Sequence, residues 1–326
     1  MTPPRSGARV RALVLGLLVA GGPPLGRRAA DPLLVVSNEL GNTLTVIAPQ
    51  SNTVVRTIAV GKRPRGLAVS PDHHTIFVAL GQEDALGIVD VATGTMTRTI
   101  PANRDPELVA IAADGHTAYV SNEEIAQASA IDLKTGRVVF STGVGVEPEG
   151  IGLTADGAKL YVTAETNNTV SVLDARTGRL LKTLRVGDNP RTVAFTPDGR
   201  RAWVSAEAGG NVTIIDVATD SAVGQFPIRD GKTKPVRIAF APDGRVAYVT
   251  EGAGASVSVI DVTTTQVVAT IPVGKRPWGI ALSPDGRLLY TADGRSNTVS
   301  VIETATRRVL ATIPVGERPY DVLYLP

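Results

Sequence analysis

Charged and aromatic side chains flank seven prolines that recur along the chain, and these side chains are the strongest candidates for recognition chemistry. Carboxylates lie beside Pro106 and Pro148, whereas arginines and two aromatic rings lie beside Pro277, Pro319 and Pro64. Forked guanidinium hydrogen bonds and stacking on aromatic rings suit an anionic, planar or peptide-like partner. The predicted binding residues are Arg63, Arg65, Asp105, Glu107, Glu147, Glu149, Arg191, Lys234, Arg276, Trp278, Arg318 and Tyr320.

These charges allow a second interpretation, in which they pair between neighbouring repeats and seal the opening that they surround. Four further acids, Glu39, Glu123, Glu165 and Glu207, end strands on the same side of the molecule. A ring of carboxylates could bind a cation, but pairing with the nearby arginines is favoured. Both interpretations place an acidic sector opposite a basic, aromatic one.

Catalytic and metal-binding residues are scarce. The chain contains no cysteine, which excludes disulfides, thiol chemistry, cysteine-ligated zinc, iron–sulfur clusters and c-type haem attachment. Its three histidines, His73, His74 and His116, fall in or beside turns, away from the proline segments. We therefore predict no catalytic residue, no metal ion and no cofactor.

The proline spacing predicts the fold. The prolines recur at steps of 42 residues, with one step of 45, and each opens a unit of four short strand-like runs. This period is typical of a β-propeller blade. We predict an all-β, seven-bladed β-propeller with four antiparallel strands per blade. The repeats start near residues 31, 65, 107, 149, 191, 236 and 278, and a closing strand at 320–326 joins the N-terminal blade.

The strand directions assign the residues to two faces. The proline segments and the hairpins between second and third strands share one face, here called the top face. The Pro-Asp-Gly turns and the histidines fall on the opposite, bottom face. A three-residue insertion within Phe226–Pro235 predicts a top-face loop that carries Arg229, Lys232 and Lys234.

The N-terminus has the features of an export signal. Three arginines precede the apolar run Ala12–Ala20, which is too short to span a membrane. We predict an export segment at 1–30, a propeller domain at 31–326, no integral membrane span after signal removal, and a periplasmic or secreted location. The formal net charge of +2 gives no general attraction to nucleic acid.

Recurring short segments resemble those of a known family. Tyr161-Val-Thr, Tyr248-Val-Thr, Tyr119-Val-Ser and Trp203-Val-Ser, together with Val257–Asp261, resemble the YVTN-repeat, YncE-like β-propellers. Two further stretches, Asp105-Pro-Glu107 and Val146-Glu-Pro-Glu-Gly150, are similar to a narrower group of propellers associated with catabolism dependent on pyrroloquinoline quinone (PQQ). The resemblance implies export and a place in an alcohol-oxidation pathway, but no chemical activity of its own.

The resulting functional expectation is an exported, non-catalytic propeller that binds a partner protein or a small anionic ligand at its top face. It would act as a monomer in a periplasmic PQQ-linked oxidation system. The alternative is a lactonase-like or quinone-dependent dehydrogenase-type enzyme that uses the acidic residues, such as Glu147 and Glu149, for acid–base work. Single-stranded nucleic-acid binding by the basic, aromatic sector is a weaker alternative.

Overall fold

The computed structural model describes residues 31–326, and these form seven four-stranded antiparallel sheets. The predicted export segment, residues 1–30, lies outside the described residues. Each sheet is one blade, and its strands follow one another from the centre of the ring outwards. The predicted all-β, seven-bladed propeller is therefore confirmed.

The strand bounds follow the repeat. Strands β1 (Leu33–Asn38), β2 (Thr43–Ala48) and β3 (Thr53–Ala59) belong to blade 1, and β4 (Pro64–Val69), β5 (Thr75–Leu80), β6 (Ala85–Asp90) and β7 (Thr95–Pro101) form blade 2. Blade 3 contains β8 (Pro106–Ile111), β9 (Thr117–Asn122), β10 (Gln127–Asp132) and β11 (Arg137–Gly143). Blade 4 contains β12 (Pro148–Leu153), β13 (Lys159–Ala164), β14 (Thr169–Asp174) and β15 (Leu180–Arg185). Blade 5 contains β16 (Pro190–Phe195), β17 (Arg201–Ala206), β18 (Asn211–Asp216) and β19 (Ser221–Pro227). Blade 6 contains β20 (Pro235–Phe240), β21 (Val246–Glu251), β22 (Ser256–Asp261) and β23 (Val267–Pro272). Blade 7 contains β24 (Pro277–Leu282), β25 (Leu288–Asp293), β26 (Thr298–Glu303) and β27 (Arg308–Pro314), and β28 (Pro319–Leu325) ends the chain. A single-turn 3-10 helix, Gly81–Glu83, follows β5.

The C-terminal strand closes the ring. Strand β28 pairs antiparallel with β1, so the innermost strand of blade 1 comes from the other end of the chain. This pairing gives the first blade its fourth strand and leaves no gap between blades 7 and 1. The closed ring removes exposed sheet edges at that junction.

Apolar side chains between neighbouring blades form the core. Strands two and three are mostly apolar or small and are buried along most of their length, so both faces of a blade pack against its neighbours. Between blades 5 and 6, the Trp203 ring lies between Phe226 and Phe240, with centroids 5.0 Å apart in each pair. The blades therefore depend on one another for burial, as expected of a repeat architecture.

Each inner strand contains a β-bulge, and hydroxyl groups of the recurring Tyr-Val-Ser segments bind the backbone groups that the bulge leaves unpaired. The ladder between first and second strands shifts register just after the proline, for example between Pro64 and Leu67. Such a bulge leaves a backbone N–H without a ladder partner. In blade 3, the Ser121 hydroxyl accepts a hydrogen bond from Leu108 N at 3.1 Å and donates one to Glu149 O of blade 4 at 2.6 Å.

The same hydrogen bond from a second-strand hydroxyl to the next blade recurs elsewhere in the ring. Ser37 donates to Arg65 O at 2.6 Å, and Thr250 donates to Trp278 O at 3.1 Å. In each case the acceptor is the residue that follows the proline of the next blade. The motif that carries the family resemblance therefore positions the residues predicted to form the site.

Candidate binding site on the top face

The residue before each proline has a left-handed backbone. These seven residues have φ between 48° and 58°, and they are Arg63, Asp105, Glu147, Asn189, Lys234, Arg276 and Arg318. Side chains other than glycine reach this region at a cost of about 1–2 kcal/mol. None of the seven is glycine, so a side chain is kept at each position despite the strain.

Backbone hydrogen bonds hold this layer in place. The carbonyl of the residue before proline accepts an N–H from the hairpin of its own blade, as in Glu39 N to Arg318 O at 2.9 Å and Gly252 N to Lys234 O at 2.8 Å. All seven side chains are exposed or half-buried. We call them the rim residues, and their positions are set by the backbone rather than by their ion pairs.

The residue after each proline points into the channel. Tyr320, Arg65, Glu107, Glu149, Val236 and Trp278 are buried, and Arg191 is half-buried. Val236, Trp278 and Tyr320 pack with Leu108 from the other side of the ring. We call these seven residues after the prolines the channel plug, because together they fill the channel mouth.

One ion network joins blades 1, 2 and 3. Arg65 Nε lies 2.7 Å from Glu107 Oε2, and Arg63 Nη2 lies 2.9 Å from Glu107 Oε1. Glu39 contacts both arginines, at 3.4 Å from Arg65 and 3.6 Å from Arg63. Burial raises the pKa of Glu107 well above its usual value, and the two arginines oppose that shift.

A group of three carboxylates belongs to this network. Oxygens of Asp105, Glu107 and Glu123 lie within 4.8 Å of one another, a spacing that suits a metal ion. Arg63 contacts all three, including Glu107 Oε1 at 2.9 Å and Glu123 Oε2 at 3.7 Å. The guanidinium thus supplies the positive charge that a cation would bring.

A second network centres on Arg191. Its guanidinium contacts Glu149, Glu165 and Glu207, the last at 2.6 Å, and Arg276 reaches Glu207 at 2.9 Å. Burial and contact with Glu149 raise the pKa of Glu165 to about 9. Burial opposes the charged form of Glu149, but Arg191 holds its pKa below the usual range. The two carboxyl groups therefore share one proton at neutral pH.

Aromatic rings connect the two networks across the channel. Tyr320 donates its hydroxyl to Glu149 Oε1 at 2.7 Å, while the Arg65 guanidinium lies 4.3 Å from the Tyr320 ring centroid. Arg276 lies 4.4 Å from the Trp278 ring, and the two rings are 5.2 Å apart. The plug is therefore one continuous set of ionic and aromatic contacts.

The predicted site residues separate into two layers. Arg65, Glu107, Glu149, Trp278 and Tyr320 lie in the buried plug, and Arg191 is at its edge. The rim layer contains the rest: Arg63, Asp105, Glu147, Lys234, Arg276 and Arg318. The predicted pairing of Glu39, Glu123, Glu165 and Glu207 with arginines is observed, and the charges do join neighbouring blades.

Sequence reasoning missed one contact and several exposed cations. Arg229 in the insertion reaches the fully buried Glu251 at 3.1 Å. Lys275 and Arg295 are exposed beside the rim and were not predicted as site residues. A signal existed for Arg229, because five of the other repeats have glycine at that position.

The three histidines lie in the turns where the sequence predicts them. His74 and His116 are exposed in the turns after inner strands, and His73 is half-buried there. His74 Nδ1 lies 3.4 Å from Asp72, within the same turn. These turns are on the bottom face, so the part of the top face that the structure describes contains no histidine.

The fold and the filled channel define the protein as a seven-bladed β-propeller with a side-chain plug. The family model described as YNCE-like beta-propeller matches residues 10–116, and the one described as Lactonase, 7-bladed beta-propeller matches residues 182–312. The predicted recognition of a YncE-like β-propeller is confirmed by these matches. The narrower resemblance to PQQ-associated propellers stays a prediction.

Solved structures of similar fold come from several kinds of protein. Hydrazine synthase of Kuenenia stuttgartiensis is 26% identical with a TM-score of 0.77, over 84% of this chain and 92% of that chain. A putative 6-phosphogluconolactonase from Bacteroides uniformis is 18% identical with a TM-score of 0.78, over 91% and 100%. Dihydro-heme d1 dehydrogenase NirN is 12% identical with a TM-score of 0.68, over 89% and 74%. The search of curated proteins gives no match.

Over residues 31–326, no helix has the length and apolar character needed to cross a bilayer.

Proposed function

We propose that this protein is an exported, non-catalytic binding module whose top face docks a partner protein. The observation that carries the proposal is the two-layer top face, in which fixed, charged rim residues stand above a solid plug. The left-handed backbone at each rim position holds its side chain in a defined place. Here it presents seven side chains around one ring.

The filled mouth favours a macromolecular partner over a small ligand. Small-molecule sites are concave and enclose most of the ligand. The plug residues instead satisfy one another, and a ligand could reach them only by breaking buried ion pairs. A concavity of about 490 Å³ does exist between blades 4 and 5, but it lies among bottom-face residues such as Lys159 and Arg200.

The place of this module in a periplasmic PQQ-linked oxidation system is part of the proposal. Residues 1–30 support export, and Asp105-Pro-Glu107 supports the PQQ-associated group. Two proteins of similar fold have names from nitrogen and haem metabolism, hydrazine synthase and dihydro-heme d1 dehydrogenase.

Nucleic-acid binding receives no support from the top face. Stacking of bases requires exposed aromatic side chains. Every aromatic side chain within residues 31–326 is buried or half-buried, and Trp278 and Tyr320 lie within the plug.

The test is capture of a partner from an extract of the host, with identification by mass spectrometry. One variant reverses cations of the rim side (Lys275→Glu with Arg318→Glu), and a second reverses acids (Glu124→Lys with Glu147→Lys). A bottom-face control, Arg200→Glu with Arg245→Glu, carries a charge change equal to that of the first variant.

We expect at least one top-face variant to lose the captured protein, while the control keeps it. Arg276 is left unchanged because it contacts the buried Glu207. Capture that neither top-face variant alters would overturn the proposal. Thermal unfolding of all three variants should stay close to that of the parent protein, since the substituted side chains are exposed.

A lactonase-like activity is the second candidate, and one observation favours it. Glu207 contacts both Arg191 and Arg276, and all three residues lie within the segment that matches the lactonase family model. Glu165, with its pKa raised to about 9, could donate a proton beside them. Hydrolysis of simple lactones by the pure protein, abolished by Glu207→Gln, would support this candidate. If the pure protein hydrolyses no lactone, that result would count against this candidate.

A further inference from the structure

The exposed charges of the top face are unevenly distributed between two halves of the ring. Lys232, Lys234, Lys275 and Arg295 are exposed in the loops of blades 6 and 7. None has a carboxylate within 4.0 Å among residues 31–326, in contrast to Arg63, Arg65 and Arg191. We call these four residues the basic arc. Arg318, which is half exposed, continues it into blade 1. Two exposed acids, Asp230 and Glu317, lie in the same loops, so the arc has a net positive charge but is not free of acids.

The other half is acidic. Glu83, Asp84, Glu124, Glu147 and Asp188 are exposed on the top loops of blades 2 to 5. Exposed cations, among them Lys62 and Arg104, also lie in this half, and Arg104 pairs with Glu124 at 2.6 Å. We call the five acids the acidic arc. A partner on the top face therefore meets a positive and a negative side in a fixed arrangement.

Small residues surround the basic arc. The hairpin of blade 6 is Gly252–Ala255, and that of blade 5 includes Gly209 and Gly210. A methyl group on Gly252 would approach Arg276 Nη1 to 2.8 Å, so the rim guanidinium packs directly on this hairpin. Because these hairpins carry no long side chains, the neighbouring lysines are accessible from above.

The insertion holds its lysines in place. Arg229 binds the buried Glu251, and Ile228 is fully buried beneath the loop. On the far side, Ala253 N donates to Thr233 O at 3.0 Å, and Gly252 N donates to Lys234 O. The backbone under Lys232 and Lys234 is thus anchored at both ends, which lowers the entropy lost when a partner binds.

We infer that the partner is a protein with an acidic patch, and that the patch docks on the basic arc of blades 6 and 7. This inference rests on the proposed docking function and specifies the chemistry of the partner. Complementary charge speeds encounter and sets orientation, whereas the acidic arc disfavours placement of an acidic patch on blades 2 to 5 of the top face. A polyanion that extends across the top face would also be repelled by the acidic arc.

A defined probe tests the chemistry directly. The probe is a fluorescent peptide rich in glutamate, with a matched lysine-rich peptide as the opposite-charge control and binding followed by fluorescence anisotropy. The parent protein should bind the glutamate peptide and not the lysine peptide. The affinity should fall as salt rises from 50 to about 200 mM, because salt screens exposed charges.

Matched variants locate the binding. The affinity for the glutamate peptide should fall by about tenfold or more in the triple variant Lys232→Glu, Lys234→Glu and Lys275→Glu. A bottom-face triple, Arg200→Glu, Arg245→Glu and Arg287→Glu, changes the net charge equally and should leave binding intact. Equal loss in both triples would overturn the inference, since net charge alone would then explain binding. Stronger binding of an oligonucleotide or an anionic vesicle than of the peptide would overturn it as well.

The capture assay separates this inference from the docking function. If the basic-arc triple keeps the natural partner while the acidic-arc variant of Glu124 and Glu147 loses it, docking stands and the acidic-patch inference is wrong. If neither changes capture, the docking function itself fails. Loss of capture in the basic-arc triple alone supports both.

Discussion

Replacement of Arg191 by methionine should destabilise the protein more than replacement of the exposed rim residue Arg318. Arg191 contacts three carboxylates, and its side chain is 17% exposed. Removing one partner of a buried ion pair costs about 3–5 kcal/mol, because a charge remains unpaired.

The structure places the expected cost near the lower end of that range. Glu165 carries a proton at neutral pH, so it adds little unpaired charge. Glu207 keeps its contact with Arg276, and Glu149 keeps the Tyr320 hydroxyl. We therefore expect Arg191→Met to lower the free energy of unfolding by about 3 kcal/mol. For a domain of this size, the corresponding fall in melting temperature is roughly 5 °C.

The assay is urea unfolding followed by tryptophan fluorescence, with Arg318→Met as the matched control. Arg318 is 51% exposed and contacts Glu39 at 3.0 Å. An exposed pair of this kind contributes less than about 1 kcal/mol. Equal destabilisation by the two variants would refute the distinction between plug and rim on which the proposed site depends.

Three further predictions concern proton binding, ring closure and the insertion. The pKa of Glu165 rises from about 4.3 in an unfolded chain to about 9 in the folded protein, so its stabilising contribution should decline as pH rises across that window. Glu165→Gln should remove this part of the decline in urea titrations from pH 5 to 9, and an unchanged profile would contradict the assignment. Truncation after Glu317 removes β28 and should abolish cooperative unfolding by circular dichroism, since blade 1 loses its inner strand. Gly210→Ala should destabilise the protein more than Gly157→Ala, although both glycines have positive φ, because a methyl group on Gly210 overlaps the Gly231 backbone whereas Gly157 has open space around it. Similar melting temperatures for the two alanine variants would argue against that contact.

The periodic features of the sequence predicted the fold well, because each blade repeats the same local solution. A proline every 42 residues marks the start of an inner strand, and the Tyr-Val-Ser segments mark the second strand. Tyr320–Pro326 could be assigned to blade 1 because that repeat lacked its first strand. The pairing of Glu39 and Glu207 with arginines also followed from their shared face.

The division into plug and rim could not be predicted in the same way. Arg63 and Arg65 flank one proline, yet Arg63 is half-buried in the rim whereas Arg65 is buried in the plug. That difference comes from the left-handed backbone before the proline, which sequence reasoning did not assign to an arginine. Contacts across the ring were equally inaccessible: Tyr320 reaches Glu149 over a separation of 171 residues.

The backbone geometry gives the two layers different freedom to change. A residue after proline contacts several other blades, so its substitution disturbs contacts on both sides of the channel. A residue before proline is held by backbone hydrogen bonds that do not involve its side chain. Rim residues such as Glu147 and Lys234 can therefore differ between propellers of this kind without loss of the ring. Specificity for a partner would accordingly be set by residues in front of the prolines, and ring stability by those behind them.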